Sequence, residues 1–162
     1  MRIDIRTARP EEYDRVGEIT VEAYLKDDLI SPESSYVSIL RDAADRAAHA
    51  ELIVAELDGE LVGSVTYCAP ESLYAQLAAP DEAEFRMLSV LAAARGHGVG
   101  NALVQECIDR ARAAGYSRIK LSTQRNMRNA HRLYERFGFV RAAEEDWAPV
   151  PGVRLMTYVL TL

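Results

Sequence analysis

Glu84-Phe85-Arg86-Met87-Leu88-Ser89-Val90-Leu91, then Arg95-Gly96-His97-Gly98-Val99-Gly100, then an apolar-periodic segment running to Ala114, is the stretch that decides the fold. It reads as strand, glycine-rich turn and helix. The helix rests on Val99, Leu103, Val104, Cys107, Ile108 and Ala111, which recur at helical spacing. Gly115 is a natural stop. A glycine turn that opens a helix gathers unpaired backbone N–H groups and the positive end of a helix dipole at one point, which suits a phosphate. A phosphate-bearing cofactor is therefore expected here.

The glycine spacing separates three kinds of phosphate loop. A P-loop ends in Lys followed by Ser or Thr, but Asn101 and Ala102 follow these glycines. A dinucleotide-binding turn needs a third glycine where Asn101 stands, and an acid closing the next strand, which instead ends Leu121-Ser122-Thr123. Arg-x-x-Gly-x-Gly remains, filled by Arg95, Gly98 and Gly100. It resembles the pyrophosphate loop of the GCN5-related N-acetyltransferase (GNAT) superfamily, which binds acetyl-coenzyme A. A second stretch, Asn129-Ala130-His131-Arg132-Leu133-Tyr134-Glu135-Arg136-Phe137-Gly138-Phe139, resembles the Ala-x-x-Leu-Tyr-x-x-x-Gly-Phe helix of the same family. Order and separation also match, and the resemblance covers all 162 residues. One position departs from the pattern. Met127 stands three residues before Ala130, where the family usually carries Asn, with Asn126 and Asn129 beside it.

The resemblance implies a GNAT-like α/β fold, a mixed and largely antiparallel sheet of about seven strands flanked by helices, as one N-acetyltransferase domain over 1–162. It implies acetyl-coenzyme A as acyl donor, no metal, and an amine acceptor that is a small molecule or a peptide. It assigns cofactor contacts to Leu88, Ser89 and Val90 at the strand end, to Arg95, Gly96, His97, Gly98, Val99 and Gly100 in the loop, and to Asn126, Asn129, Arg132 and Tyr134 on the second helix. The same cofactor pocket without turnover, an acyl-coenzyme A sensor, is the alternative.

Bulk properties narrow the class. A chain of 162 residues with 49% hydrophobic and 27% charged residues can bury a sizeable core and has the composition of a globular protein. Its net charge of −6 argues against nucleic-acid binding, which needs a basic surface. No apolar run is long enough to span a membrane. The N-terminal Met1 to Arg6 alternates like a strand and lacks a secretory apolar stretch, so cytoplasmic residence is expected. Cys68 and Cys107 make neither a disulfide framework nor a zinc site. A homodimer is compatible with the sequence.

In chain order, residues 2–7 read as a strand and Pro10 opens a helix with Val16, Ile19, Ala23 and Tyr24 on one face. Residues 26–32 read as a loop and 34–49 as a second helix. Residues 52–57 and 61–67 are strands joined through Asp58-Gly59, a hairpin signal. Residues 69–81 form a long loop. After the strand at 118–123, Asn126 is expected to cap the next helix, which ends at Gly138. Residues 139–142 and 153–162 are the last strands.

Acetyl transfer from a thioester to an amine needs a base for the amine proton, donors for the carbonyl oxygen and an acid for the leaving thiolate. Tyr134 is the candidate acid, because a phenol stays neutral at pH 7 and donates a proton. The resemblance makes Glu84, six residues before Val90 where some members of the family keep a catalytic Glu, the candidate base, with substrate anchor and solvated surface acid as the other readings and Glu82 ranked lower. Strand alternation places Glu84, Arg86, Leu88 and Val90 on one face, so Arg86 is in reach to pair with Glu84. Backbone N–H groups near Leu88 and Val90 are expected at the carbonyl, where the fourth and fifth strands splay. Arg128, Arg132 and Arg136 share a helical stripe that suits the 3′-phosphate of coenzyme A or plain solvent.

Overall fold

The computed structural model describes residues 1–162, the side chain of Val150 excepted. The chain runs β1 (Ile3–Thr7), a 3-10 turn (Pro10–Glu12), α1 (Tyr13–Lys26), α2 (Tyr36–Arg41), α3 (Ala43–His49), β2 (Glu51–Leu57), β3 (Glu60–Cys68), β4 (Glu82–Val90), α4 (Val99–Ala113), β5 (Arg118–Thr123), α5 (Arg128–Phe137), β6 (Val140–Arg141), β7 (Trp147–Val150) and β8 (Val153–Thr161). The strands lie in the order β1-β2-β3-β4-β5-β8-β6, with β7 hairpinned onto β8. Every pairing is antiparallel except β4 with β5. The sheet is thus mixed and mostly antiparallel, with eight strands where about seven were expected. The additional strand is β7, which turns into β8 at Gly152, a glycine with φ of 85°.

The two faces of the sheet carry different helices. α4 lays Val99, Leu103, Val104, Cys107, Ile108 and Ala111 on one face, the same set that the sequence period picks out. They join Ala83, Phe85, Tyr134, Phe139 and Tyr158 in one apolar cluster. Each large side chain buried there contributes roughly 1.5–3 kcal/mol. The other face holds α1, with Val16 packed against Ala43, Leu52 and Val54, and Val21 packed against Leu40 and Met87.

Two local expectations are corrected. The helix expected over 34–49 is broken at Asp42, whose ψ of 69° leaves the helical region while its carboxylate accepts from the Asp45 N–H at 3.1 Å. The short acid thus caps α3 instead of continuing α2. At the start of α5 the capping position is Met127 rather than Asn126, and no side-chain oxygen caps it.

Candidate active site

The site begins with a break in the sheet. β4 and β5 pair over four rungs, from Glu82 with Arg118 to Phe85 with Leu121, and then part. Just past the last rung β4 bulges against β3, where the register skips between Ser64 and Thr66, and Met87 takes a φ of 58°. A bulge puts two residues opposite one and reverses the side-chain phase downstream. This corrects the expectation of one shared face. Leu88 and Val90 point with Phe85 into the α4 cluster, whereas Met87 packs with Val21 and Leu40 under α1, and Arg86 donates to the Tyr36 hydroxyl of α2.

A cleft of about 690 Å³ opens on the α4 side of this break. Its floor is Leu88 and Val90. One wall is the glycine turn and the start of α4, with Arg95, Gly96, Gly98, Val99, Gly100 and Asn101. The opposite wall is the start of α5, with Asn126, Met127, Arg128, Asn129, Ala130, Leu133 and Tyr134. Two helix N-termini therefore face one cavity, and both present unpaired N–H groups and positive dipole ends. Gly98 caps α4 at a φ of 83°, which a residue with a Cβ adopts only under strain. A Cβ at Gly96 would meet nothing within 4 Å, so the turn is open on its outer side. This turn fits a pyrophosphate, and the unpaired strand edge beyond Phe85 fits an amide-bearing arm such as that of coenzyme A.

Three expected cofactor residues lie off this lining. Ser89 is buried and donates to the Met87 carbonyl at 3.0 Å, His97 is exposed, and Arg132 turns back to Asn129 Oδ1 at 3.3 Å. Arg128 and Arg136 from the same stripe do line the cleft. Arg95 lines it too, but its guanidinium closes on Asp27 just past α1, at 2.8 and 2.7 Å. Asp27 and Leu29 were not foreseen as site residues; they lie 68 and 66 positions before Arg95, beyond any local pattern. Met127 supplies sulfur where a side-chain oxygen was expected, 3.4 Å from Thr123 Oγ1 and 3.5 Å from the Gln124 N–H.

Tyr134 sits at the inner end of the cleft, only 3% exposed. Its ring packs with Phe85, Phe139 and Tyr158 at 5.9, 6.0 and 6.2 Å between centroids. Its hydroxyl makes no hydrogen bond among the described residues, and burial pushes its ionisation far above the ordinary range, so it holds its proton.

Glu84 is 1% exposed and does not line the cleft. It does not pair with Arg86, one of the two arrangements the sequence left open. Its Oε1 instead accepts the backbone N–H groups of Gln76, Leu77 and Ala78 at 2.8, 2.7 and 3.1 Å, pinning the 69–81 loop. Oε2 is buried without a partner. Burial raises the carboxyl pKa and outweighs the three N–H contacts, which pull the other way. Arg86 spends its donors on the Tyr74 carbonyl at 3.1 Å and the Tyr36 hydroxyl at 3.2 Å. Glu82 bridges Lys120 at 2.8 Å and Arg118 at 3.0 Å. Burial pushes Glu82 up, but Lys120, the Ala79 N–H and Arg118 outweigh it and hold the carboxyl below its ordinary value, which makes it a poor base.

A sheet parted between a parallel strand pair, with a glycine turn and two helix starts over the gap, is an arrangement that suits a ligand carrying a pyrophosphate and an amide-bearing arm. The Acetyltransferase (GNAT) family model matches residues 13–139, and the chain belongs to that family. Among curated relatives, it is 32% identical over 122 residues to "Probable N-acetyltransferase camello" of Xenopus tropicalis, covering 75% of this chain and 49% of the relative. It is 34% identical over 100 residues to N-acetylaspartate synthetase of Danio rerio, covering 62% of this chain and 33% of that one. The chain thus spans between a third and a half of the length of these relatives. The fold is shared with the paia N-acetyltransferase of Thermoplasma acidophilum, solved with coenzyme A, at a TM-score of 0.76, 16% identity and full coverage of both chains. It is shared as well with "yncA, a putative acetyltransferase" of Salmonella typhimurium, solved with its cofactor acetyl-CoA, at a TM-score of 0.74 and 20% identity over 100% of this chain and 95% of that one. Among the described residues no helix is long and apolar enough to cross a membrane, and no cluster of metal-ligating side chains occurs.

Proposed function

We propose that this protein transfers the acetyl group of acetyl-coenzyme A to a primary amine, by direct attack within a ternary complex. The observation that carries this reading is the parted strand pair, which places an unpaired strand edge, the glycine turn and the Tyr134 hydroxyl in one cleft. Relatives named for N-acetyl transfer and for making N-acetylaspartate support it.

The residues divide the work as follows. The N–H groups of the turn around Gly96, Gly98 and Gly100 hold the pyrophosphate. Arg128 and Arg136 offer positive charge to the 3′-phosphate. Backbone donors of β4 near Leu88 and Val90 align the arm and polarise the thioester carbonyl. The acceptor nitrogen forms a bond to the carbonyl carbon while the carbon–sulfur bond breaks. Of the two protons an ammonium acceptor sheds, one goes to solvent through Glu84 and the other ends on the departing sulfur through Tyr134. Glu84 suits its part because Oε1 is fixed by three backbone N–H groups while Oε2 has no partner. At 1% exposure it reaches the amine through a bridging water rather than by direct contact.

Isothermal titration with acetyl-coenzyme A, paired with an assay for amine-dependent thiol release, tests the proposal. Binding together with thiol release is expected. Binding without release from any amine would make the protein an acyl-coenzyme A sensor, and absence of binding would overturn both readings.

A further inference from the structure

The face of the sheet away from the cleft holds two buried or half-buried guanidinium groups with no acid in ion-pair contact, although Glu84 lies in electrostatic range of Arg86 and Asp42 in range of Arg46. Arg86 is half-buried, and its contacts are neutral: the Tyr74 carbonyl and the Tyr36 hydroxyl. Arg46 of α3 is fully buried. It donates to the carbonyls of Ile39 and Leu40 at 3.1 and 2.6 Å and to Thr20 Oγ1 at 3.4 Å. Neither forms an ion pair among the described residues, in a chain with 25 acidic and 19 basic side chains. Elsewhere the enclosed cations close on acids, as Arg6 does on Glu12 and Lys120 on Glu82. A desolvated cation is costly unless an anion meets it.

Unused polar atoms gather on the same side. The buried side-chain atoms without a hydrogen-bond partner, among the described residues, are Arg46 Nε, Thr66 Oγ1 and Glu84 Oε2. Thr66 stands directly opposite Arg86 across β3 and β4, and Cys68 directly opposite Glu84, so these side chains share one face. Buried polar atoms are nearly always paired, and a cluster of exceptions marks a place where something polar binds. Tyr24 of α1 lies in electrostatic range of both Arg86 and Arg46 and also of Tyr134, although α1 and α5 cover opposite faces. Apart from Tyr134, these groups lie beside the place where β4 and β5 part, on the face of the sheet opposite the cleft.

Arg86 is the first residue of β4 beyond the last rung with β5, at the lip of that gap. We propose that Arg86 anchors a carboxylate carried by the acceptor, so that the acceptor is an amino acid whose amine lies a few bonds from an anionic group. This rests on the acetyltransferase reading above. Arg86 and Leu88 are two residues apart, so their backbones lie no more than about 7 Å apart, the limit set by a full strand rise of roughly 3.3 Å per residue. With the anion on the guanidinium, an amine a few bonds away reaches the carbonyl held near Leu88 and Val90. Three of the five N–H donors of a guanidinium remain free when two are engaged, enough for a two-point hold on a carboxylate. Arg46 behind it adds positive potential, which disfavours polyamines and basic peptides. Bond making and proton transfers are those given above, since the carboxylate takes no part in them.

The test compares the common L-amino acids with their carboxamides as acceptors, using the full chain, acetyl-coenzyme A and detection of the released thiol. One or more amino acids should react at least ten times better in kcat/KM than the matched amide. Arg86→Gln should raise the acceptor KM roughly 10- to 100-fold, the loss of a charged two-point contact, with cofactor affinity by titration unchanged. Arg86→Lys should recover part of the loss, and an unchanged melting temperature in both variants separates anchoring from folding. Equal use of the amides, no acceptor in either set, or an unchanged KM in Arg86→Gln overturns the anchor. Failure to bind acetyl-coenzyme A would sink the underlying acetyltransferase reading instead.

Discussion

Glu84 gives its two oxygens different surroundings, and that allows its roles to be separated. Glu84→Gln retains a carbonyl oxygen that can accept from Gln76, Leu77 and Ala78, so the 69–81 loop should stay pinned while the base is lost. We expect kcat/KM to fall about 10²-fold or more, most steeply at low pH, with the melting temperature little changed. Burial raises the Glu84 carboxyl, so the acidic limb of the wild-type rate profile should lie above the ordinary carboxylate range and be absent from the variant. Glu84→Ala should in addition loosen the loop, read as faster amide exchange at Gln76 to Ala78. For Tyr134→Phe the ring contacts with Phe85, Phe139 and Tyr158 persist and only an unbonded hydroxyl is lost. A thiolate is a tolerable leaving group, so kcat should fall near the low end of roughly 10²–10⁴-fold, with cofactor affinity unchanged by titration. A silent substitution would remove Tyr134 from the acid role. Tyr134 was picked out by a local motif and does line the cleft, whereas Glu84 was picked out only by its place in the strand and lies off the lining. The partners of Glu84 were not legible, because a carboxylate three residues past the end of an irregular loop gives no sign of which N–H groups will fold over it.

At the scale of elements, the glycine turn and α4 read directly from spacing, since αL capping and a 3.6-residue period are local properties. The bulge in β4 did not. It consists of one residue with positive φ, Met87, and methionine carries none of the signals that glycine does. Missing it reversed the assigned faces of Leu88 and Val90; Glu84 and Arg86, both before the bulge, do share a face, but each turns to other partners. Gly17 was equally silent. A Cβ there would lie 2.1 Å from the Arg41 carbonyl oxygen, because α1 passes the end of α2 with no space for a side chain. Gly17→Ala must push backbone apart, so we expect a loss on the order of 3 kcal/mol, or roughly 6–12 °C in melting temperature. Gly98→Val differs in kind. Its Cβ would meet only Ile3 Cδ1 at 3.9 Å, but the φ of 83° strains any branched residue. The domain should stay folded with a modest loss of stability, while acetyl-coenzyme A binding weakens strongly as the turn is distorted and covered. Unchanged affinity by titration would move the pyrophosphate away from this turn.

Across the whole molecule, the sheet has two unlike faces: α4 and α5 form the cleft on one, and α1 to α3 cover the one that holds Arg86, Arg46 and Glu84. The first strand is tied into this second layer by charge. Arg6 of β1 donates to both oxygens of Glu12 at 2.8 and 2.7 Å and also pairs with Glu56 of β2. The Arg6 guanidinium lowers the Glu12 carboxyl from 4.5 to about 2, against the opposing effect of burial. The unfolded chain, with its carboxyl near the ordinary value, therefore binds the proton more readily over this range. The stabilisation from Glu12 is complete above about pH 4.5 and is lost as pH falls towards about 2. Glu84 has the opposite sign: its raised carboxyl favours the folded state at low pH and opposes it once ionised, so it offsets part of the acid loss, but equally in the wild type and in Glu12→Gln, and it cancels from their difference. Glu12→Gln should cost roughly 1.5–3 kcal/mol at neutral pH, the scale of hydrogen bonds to a charged group, and progressively less as the wild-type carboxyl protonates. Urea midpoints of both proteins at pH 7 and near pH 2.5 check this: the curves should converge on acidification. A difference that stayed constant with pH would show that Glu12 stabilises by packing rather than by its charge on Arg6.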